Sequence, residues 1–112
     1  MKKLEIIIRP EKLDLLKTIL TGCGVTGMMV SNIMGFGNQK GYTQQYRGTT
    51  YSVNLVSKLR IETIVKDDLV EPMMKKVTEL LSTGNVGDGK IFVYPVEEAV
   101  RIRTGETGED AL

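Results

Sequence analysis

The chain has 112 residues, 41% of them hydrophobic, and 15 Lys and Arg residues against 14 Asp and Glu residues give a net charge of +1. This length is that of one ordinary domain, and the balanced charge provides no sequence-wide basic field for nucleic-acid binding. The longest apolar runs, such as residues 6–8, are far too short to span a bilayer, and the first residues lack the pattern of a signal peptide. We therefore expect a single intracellular domain over residues 1–112.

The chain contains no histidine and a single cysteine, Cys23. The lack of histidine excludes Ser-His-Asp, Cys-His and zinc constellations, and a single cysteine excludes an intramolecular disulfide. Cys23 follows a predicted helix, where it is either a small, half-buried hydrophobic residue or a reactive thiol.

In chain order, the first third predicts a strand, a helix and a second strand. Residues 3–9 are rich in β-formers and stop at Pro10, which suits the first turn of a helix. Residues 11–21 repeat apolar side chains at three- and four-residue steps, and glycines at 22 and 24 favour a helix end. A second strand is predicted over residues 25–36.

The next segment, residues 37–56, is polar and reads GNQKGYTQQYRGTTYSVNLV. Long connections of this kind are usually binding loops or disordered segments. Tyrosines among Gly, Gln and Thr form an adaptable surface for protein contacts. A binding loop is one interpretation, and an extended hairpin without a binding role is the other.

The rest of the chain predicts a strand, a helix, a strand and a tail. Residues 58–65 alternate in polarity, and Asp67 or Asp68 is expected to cap a helix whose start is distorted by Pro72. Residues 91–96 predict an edge strand, because Pro95 cannot donate to a sheet. A short helix from Glu97 and a mobile tail over about 104–112 are expected to follow.

This order predicts an α+β fold of the ferredoxin-like, split βαβ type (βαββαβ), in which an antiparallel four-stranded sheet carries both helices on one face. Apolar side chains on the opposite face then need a partner, which an oligomer would supply.

The stretch TGNVGDGK, residues 83–90, has the glycines and lysine of a phosphate-binding loop. Ile91 replaces the hydroxyl residue that a P-loop requires, and the predicted order of helix, loop and strand is the reverse of a P-loop. Glycine-rich backbone can still surround an anion through its N–H groups, with Lys90 adding a charge. A simple helix-to-strand turn is the alternative.

Arg101 and Arg103 flank Ile102 in the stretch VRIRTGE. In an extended segment their side chains would point the same way and could bind phosphate oxygens. The alternative is a surface pair neutralised by nearby glutamates.

Together these stretches resemble the PII nitrogen-regulatory signal-transduction proteins. The matching segments are GFGNQKG (35–41), YRG (46–48), TGNVGDGKIFV (83–93) and VRIRTGE (100–106). The resemblance covers essentially the whole chain. It implies a homotrimer that binds ATP or ADP between subunits, senses 2-oxoglutarate with Mg²⁺, and acts by binding other proteins without being an enzyme.

The resemblance also assigns roles to individual residues. The ATP/ADP-binding positions are Gly27, Met28, Met29, Glu62, Ile64, Gly87, Asp88, Gly89, Lys90, Arg101 and Arg103. The 2-oxoglutarate-binding positions are Gly37, Gln39, Lys40, Gly41 and Lys58. Gln39 is also the implied metal ligand, holding Mg²⁺ with the ATP phosphates. Met29 stands where many relatives have Thr.

Residues 37–56 resemble the T-loop of the family, with Arg47 as the implied target-binding residue and Tyr51 as the position modified in some branches. Thr49 and Thr50 depart from the usual pattern before that tyrosine, as do Gln44 and Asn54 from the acidic residues of enteric relatives.

The implied partners are an ammonium channel or the enzymes and regulators of nitrogen metabolism. The implied location is the cytoplasm, with recruitment to the membrane by such a channel. Three alternatives stay open: a nucleotide-binding protein with slow ATPase activity using Glu62 or Asp88, a PII-like regulator of a non-nitrogen transporter, and a purely structural trimer.

Overall fold

The computed structural model describes residues 1–36, 42–46, 49–53 and 55–112, with only the backbone of 42–46 and 49–53. The strands are β1 (Lys2–Ile8), β2 (Met29–Phe36), β3 (Tyr42–Tyr46), β4 (Thr49–Val53), β5 (Leu55–Val65) and β6 (Lys90–Pro95). The helices are α1 (Leu13–Gly22) and α2 (Asp67–Leu81), with 3₁₀ turns at Pro10–Lys12 and Gly108–Ala111.

The main sheet has the strand order β2-β5-β1-β6, and all of its neighbouring strands are antiparallel. The helices α1 and α2 pack against each other and bury apolar residues of the same core. This confirms the predicted α+β fold with a four-stranded antiparallel sheet. The strand β6 lies at an edge, as Pro95 indicated.

The core follows from the alternation of each strand and the apolar stripe of each helix. Leu4, Ile6 and Ile8 of β1 are buried, whereas the residues between them are partly exposed. The remaining buried apolar residues are Leu16, Ile19, Leu20, Leu59, Ile61, Val65, Val70, Met73, Val77 and Leu81. The apolar faces of both helices therefore form the core, except that Leu80 of α2, which was expected on the apolar face, is 55% exposed.

The helix starts and strand limits differ from the predictions at several points. The strand β2 begins at Met29 and not at the predicted residue 25; the N–H of Val25 instead donates to the carbonyl of Leu20, beside the end of α1. The strand β5 begins at Leu55, within the predicted loop. The N-cap of α2 is Lys66, and the carboxylate of Asp67 instead lies 2.9 Å from the N-terminal ammonium group.

The pairing of β3 with β4 agrees with the extended hairpin that was one of the two interpretations of residues 37–56, whereas the segment after Glu97 departs from its prediction. Within residues 37–56, β3 and β4 form a separate two-stranded antiparallel sheet. The short helix expected from Glu97 is absent from the described residues 97–107. Instead, Val100 and Thr107 form an isolated bridge around a turn in which Gly105 has a φ of 75°.

The expected tail, residues 104–112, is hydrogen-bonded in this structure. The N–H of Gly108 donates to the carbonyl of Ala99 at 2.9 Å, and a 3₁₀ turn follows. Across all the residues that the structure describes, no helix has both the length and the apolar character needed to cross a membrane.

Candidate anion-binding site

The glycine-rich loop joins the end of α2 to the start of β6, so the order of helix, loop and strand is as predicted. Gly84, Gly87 and Gly89 have positive φ angles of 80°, 97° and 117°. A Cβ atom at position 89 would overlap the carbonyl oxygen of Ile7. Glycine at this position is therefore required both by the backbone conformation and by the close approach of β1.

Asp88 closes the loop on itself. Its carboxylate accepts hydrogen bonds from the N–H of Thr83 at 2.7 Å, from the hydroxyl of Thr83 at 2.5 Å and from the N–H of Gly84 at 3.1 Å. The hydroxyl and N–H of Thr83, followed by the N–H of Gly84, lower the pKa of Asp88 below its ordinary value. The carboxylate thus fixes the shape of the loop from within.

Arg9 holds the same loop from the end of β1. Its Nε–H donates to the carbonyl of Gly87 at 3.0 Å, and its Nη2 donates to the carbonyl of Val86 at 2.7 Å. The Nη2 atom also lies 3.8 Å from the carboxylate of Asp88. These partners are 77 and 78 residues away in sequence, so no local pattern pointed to Arg9.

Lys58, the residue predicted to meet 2-oxoglutarate, is only 6% exposed. Its ammonium group donates to the carbonyl of Gly87 at 2.5 Å, so a predicted effector residue contacts the predicted phosphate loop. Burial, followed by the positive charge of Arg9, lowers the pKa of Lys58. Two cations therefore share one carbonyl oxygen, an environment that favours the arrival of an anion.

Lys90 is the first residue of β6 and pairs with Ile7 of β1. Its side chain is exposed, next to the positive-φ glycine at position 89. A cavity of about 380 Å³ opens beside this part of the loop, between α2 and the edge of the sheet. Its lining includes Met74, Leu81, Asp88 and Lys90.

Five of the predicted ATP/ADP-binding residues are those that the family resemblance assigns to the nucleoside, and they lie close together at one end of β2 and β5: Gly27, Met28, Met29, Glu62 and Ile64. Met29 pairs with Glu62 in register, and the carbonyl of Gly27 accepts a hydrogen bond from the buried hydroxyl of Thr63 at 2.7 Å. Met28 is partly buried against the core. The position of Ile64, on the same face as Glu62, follows from the alternation of β5.

The carboxylate of Glu62 lies among cations. It is 3.2 Å from Nε of Arg60 and 4.0 Å from the ammonium group of Lys3. Although Nε of Arg60 is this close to the carboxylate, it has no hydrogen bond, so the contact is an ion pair without favourable hydrogen-bond geometry.

Arg101 and Arg103 are not in the extended segment that was predicted, because residues 102–104 form a turn. The guanidinium group of Arg101 binds the carboxylate of Glu106 at 2.8 Å and the carbonyl of Leu112 at 3.1 Å. Arg103 is exposed. Among the described residues, no hydrogen bond or ion pair joins either arginine to the loop at 83–90.

The remaining predicted residues belong to the segment between β2 and β5. Gly37, Gln39, Lys40, Gly41 and Arg47 lie outside the described residues, and with Gln39 so does the predicted Mg²⁺ ligand. Tyr51 is described only by its backbone, which pairs with Gln44 in the sheet of β3 and β4.

The fold and the site together define a class of protein: a ferredoxin-like α+β domain whose glycine-rich loop is held by cations at the end of the sheet. The family model for "Nitrogen regulatory protein P-II" matches residues 1–106. The chain therefore belongs to the P-II family of nitrogen regulatory proteins.

Curated relatives agree with this assignment, and each is named nitrogen regulatory protein P-II. The chain is 51% identical to the protein of Cereibacter sphaeroides, 48% identical to that of Haemophilus influenzae and 50% identical to that of Microchaete diplosiphon. Each match spans 112 residues and covers 100% of both chains.

Proposed function

We propose that this chain is a nitrogen-regulatory signal-transduction protein that senses ATP or ADP together with 2-oxoglutarate and regulates target proteins through its T-loop. The observation that carries the proposal is the contact between the ammonium group of Lys58 and the carbonyl of Gly87. It joins the residue expected to bind the oxoacid directly to the loop expected to bind the phosphates.

The residues of the loop fit a polyphosphate. The positive-φ glycines at positions 87 and 89 suit a backbone that curves around an anion, and Lys90 adds an exposed ammonium group beside them. Because the hydrogen bonds of Arg101 remain within its own turn and tail, we assign Arg101 and Arg103 to the phosphates of a neighbouring subunit in a homotrimer.

Coupling between the effectors follows from the shared position of Lys58. A carboxylate that binds Lys58 acts on a group that already contacts the phosphate loop, so the two ligands influence each other's affinity. Mg²⁺, held by Gln39 and the ATP phosphates, would supply a cation for the oxoacid oxygens. With ATP and 2-oxoglutarate the T-loop takes one shape, and with ADP it is free to take another.

Calorimetry tests this function. We expect the protein to bind ADP and ATP, and to bind 2-oxoglutarate much more tightly when Mg²⁺ and ATP are present. Equal 2-oxoglutarate affinity with and without Mg²⁺-ATP would contradict the coupling.

Lys90→Ala should weaken ATP binding by about tenfold or more, because it removes a charged phosphate contact of about 1.5–3 kcal/mol. The matched control is Lys76→Ala, which removes a lysine from the exposed face of α2. Unchanged ATP affinity in Lys90→Ala would refute the assignment of the loop to the phosphates.

Slow ATPase activity is the main rival. The carboxylates considered as general bases, Glu62 and Asp88, are both already bound to cations or N–H groups. A carboxylate with a lowered pKa, such as that of Asp88, is a weak base. These contacts favour a regulatory binding protein over an enzyme.

The choice of target is tested by affinity capture from cell extract, first with ADP and then with Mg²⁺-ATP and 2-oxoglutarate. Capture of an ammonium channel or a nitrogen-metabolism enzyme in one state and not the other supports the proposal. A target that transports other solutes would favour the PII-like alternative.

A further inference from the structure

Arg9 is held in position by its own neighbours. It follows β1 and precedes Pro10, and its backbone is extended, with φ of −69° and ψ of 143°. A residue before proline is restricted to this conformation, so the side chain starts from a fixed direction. From there it reaches the loop at 83–90, and it remains only partly exposed.

The contacts of Arg9 are with two consecutive carbonyl groups, those of Val86 and Gly87. The described residues contain no cis peptide bond, and in a trans peptide the C=O and N–H groups point in opposite directions. When both carbonyls point toward Arg9, the N–H groups of Gly87 and Asp88 point away from it. Two consecutive N–H groups on one side of a loop are the elements of an anion-binding nest.

Asp88 and Arg9 fix the loop by complementary contacts. The carboxylate of Asp88 binds N–H groups at the start of the loop, and the guanidinium group of Arg9 binds carbonyl groups at its end. Only an arginine offers a planar fork that can bridge two acceptors in this way.

We propose that Arg9 is a positioning residue for nucleotide binding, because it orients the peptide groups of Val86 and Gly87 so that the N–H groups of Gly87 and Asp88 face the phosphates. This inference rests on the proposed nucleotide-binding function. Arg9 orients these peptide groups already in the ligand-free protein.

The test compares Arg9→Met with Arg9→Lys, and Lys17→Met on the exposed side of α1 serves as a charge-matched control. Amide NMR signals of residues 83–90 are recorded in the ligand-free proteins, and affinities for tripolyphosphate and ADP are measured by calorimetry. In Arg9→Met we expect shifted amide signals for Gly87 and Asp88 and a loss of affinity of about tenfold or more. Arg9→Lys, which can bind one carbonyl, should recover part of the native amide signals and part of the affinity. Lys17→Met should change neither the amide signals nor the affinity.

Two results would overturn the inference. One is unchanged loop signals and unchanged affinity in Arg9→Met. The other is reduced affinity with unchanged loop signals, which would make Arg9 a direct phosphate ligand. If Arg9→Met does not fold, Arg9→Lys decides the question with the same two measurements.

Failure of the proposed function is distinguishable from failure of this inference. If the unaltered protein binds neither tripolyphosphate nor ADP, nucleotide binding is refuted. The amide signals of the ligand-free variants still report whether Arg9 orients the loop.

Discussion

A side chain at position 89 would meet the carbonyl oxygen of Ile7, and the backbone there has a φ of 117°. Gly89→Ala should therefore lower the free energy of unfolding by about 3 kcal/mol, since it combines backbone strain with a collision against a core strand. Gly84 is a matched control, because its φ is also positive, at 80°, but a Cβ atom there would have open space around it. Gly84→Ala should therefore lower the free energy of unfolding by only about 1 kcal/mol. Urea denaturation measures both values, and equal losses would contradict the structure.

Asp88 makes the stability of the loop depend on pH. Its folded-state pKa lies below the ordinary value of 3.8, so its carboxylate stabilises the fold above that pH. This stabilisation is lost as the pH falls through the folded-state pKa. The difference in melting temperature between the unaltered protein and Asp88→Asn should be constant near neutral pH and shrink below 3.8. A difference that grows on acidification would contradict this assignment.

At the scale of elements, α2 runs from Asp67 to Leu81 without a break although Pro72 lies inside it. Proline there has no N–H to donate to the carbonyl of Asp68, and its ring crowds the preceding turn. Pro72→Ala should therefore raise the free energy of unfolding by about 1–3 kcal/mol. The exposed neighbour gives a control, Glu71→Ala, which should change stability by less than about 0.5 kcal/mol. Thermal unfolding measures the stability of both variants. A lower melting temperature for Pro72→Ala than for the unaltered protein would contradict this prediction.

The elements that the sequence predicts well are those with a buried face. The apolar steps of α1 and α2 and the alternation of β5 determine which side chains enter the core, and these predictions are confirmed except at Leu80, which is exposed. The pairing of β3 with β4 agrees with one of the two interpretations of that segment, and its polar sequence has no apolar alternation that could have decided between them. The extended segment predicted around Arg101 is instead a turn, in which both the backbone N–H and the guanidinium group of Arg101 bind Glu106. This pairing corresponds to the alternative interpretation, in which nearby glutamates neutralise the arginines.

At the scale of the whole molecule, the sheet face opposite the helices carries aromatic and charged side chains together. Phe92 and Tyr94 of β6 are 44% and 42% exposed, and the ammonium group of Lys3 lies 4.7 Å from the centre of the Tyr94 ring. Glu5 pairs with both Glu62 and Phe92 in register. In the proposed homotrimer, another copy of the chain would cover this face.

Phe92→Lys should weaken that assembly. Loss of a buried aromatic contact of about 2 kcal/mol corresponds to about a thirtyfold lower association constant per contact. Light scattering after size-exclusion chromatography should show smaller species at low protein concentration. Leu80→Lys introduces the same charge at an exposed position of α2 and should leave the assembly unchanged. An intact trimer in Phe92→Lys would indicate that another surface holds the subunits together.

The predicted site could be recovered from the sequence only in part. Residues within one motif, such as 87–90, are visible as a pattern, and a family resemblance added Lys58 and the nucleoside positions. Arg9 is the opposite case: a single arginine before a proline has many uses, and only the folded chain brings it to the loop. Asp88 is visible in the motif, but the structure alone shows that its carboxylate accepts hydrogen bonds from Thr83 and Gly84 of the same loop.

The carbonyl oxygen of Gly87 accepts hydrogen bonds from both Arg9 and Lys58, which reach it from different parts of the chain. The effects of substituting Arg9 and Lys58 are therefore not additive. When either cation is removed, the other still binds the carbonyl oxygen, and the repulsion between the two positive charges disappears. Surveys that change one residue at a time will undervalue both. The interaction energy between the two cations can be measured only by a double-mutant cycle, which compares each single substitution with the double substitution.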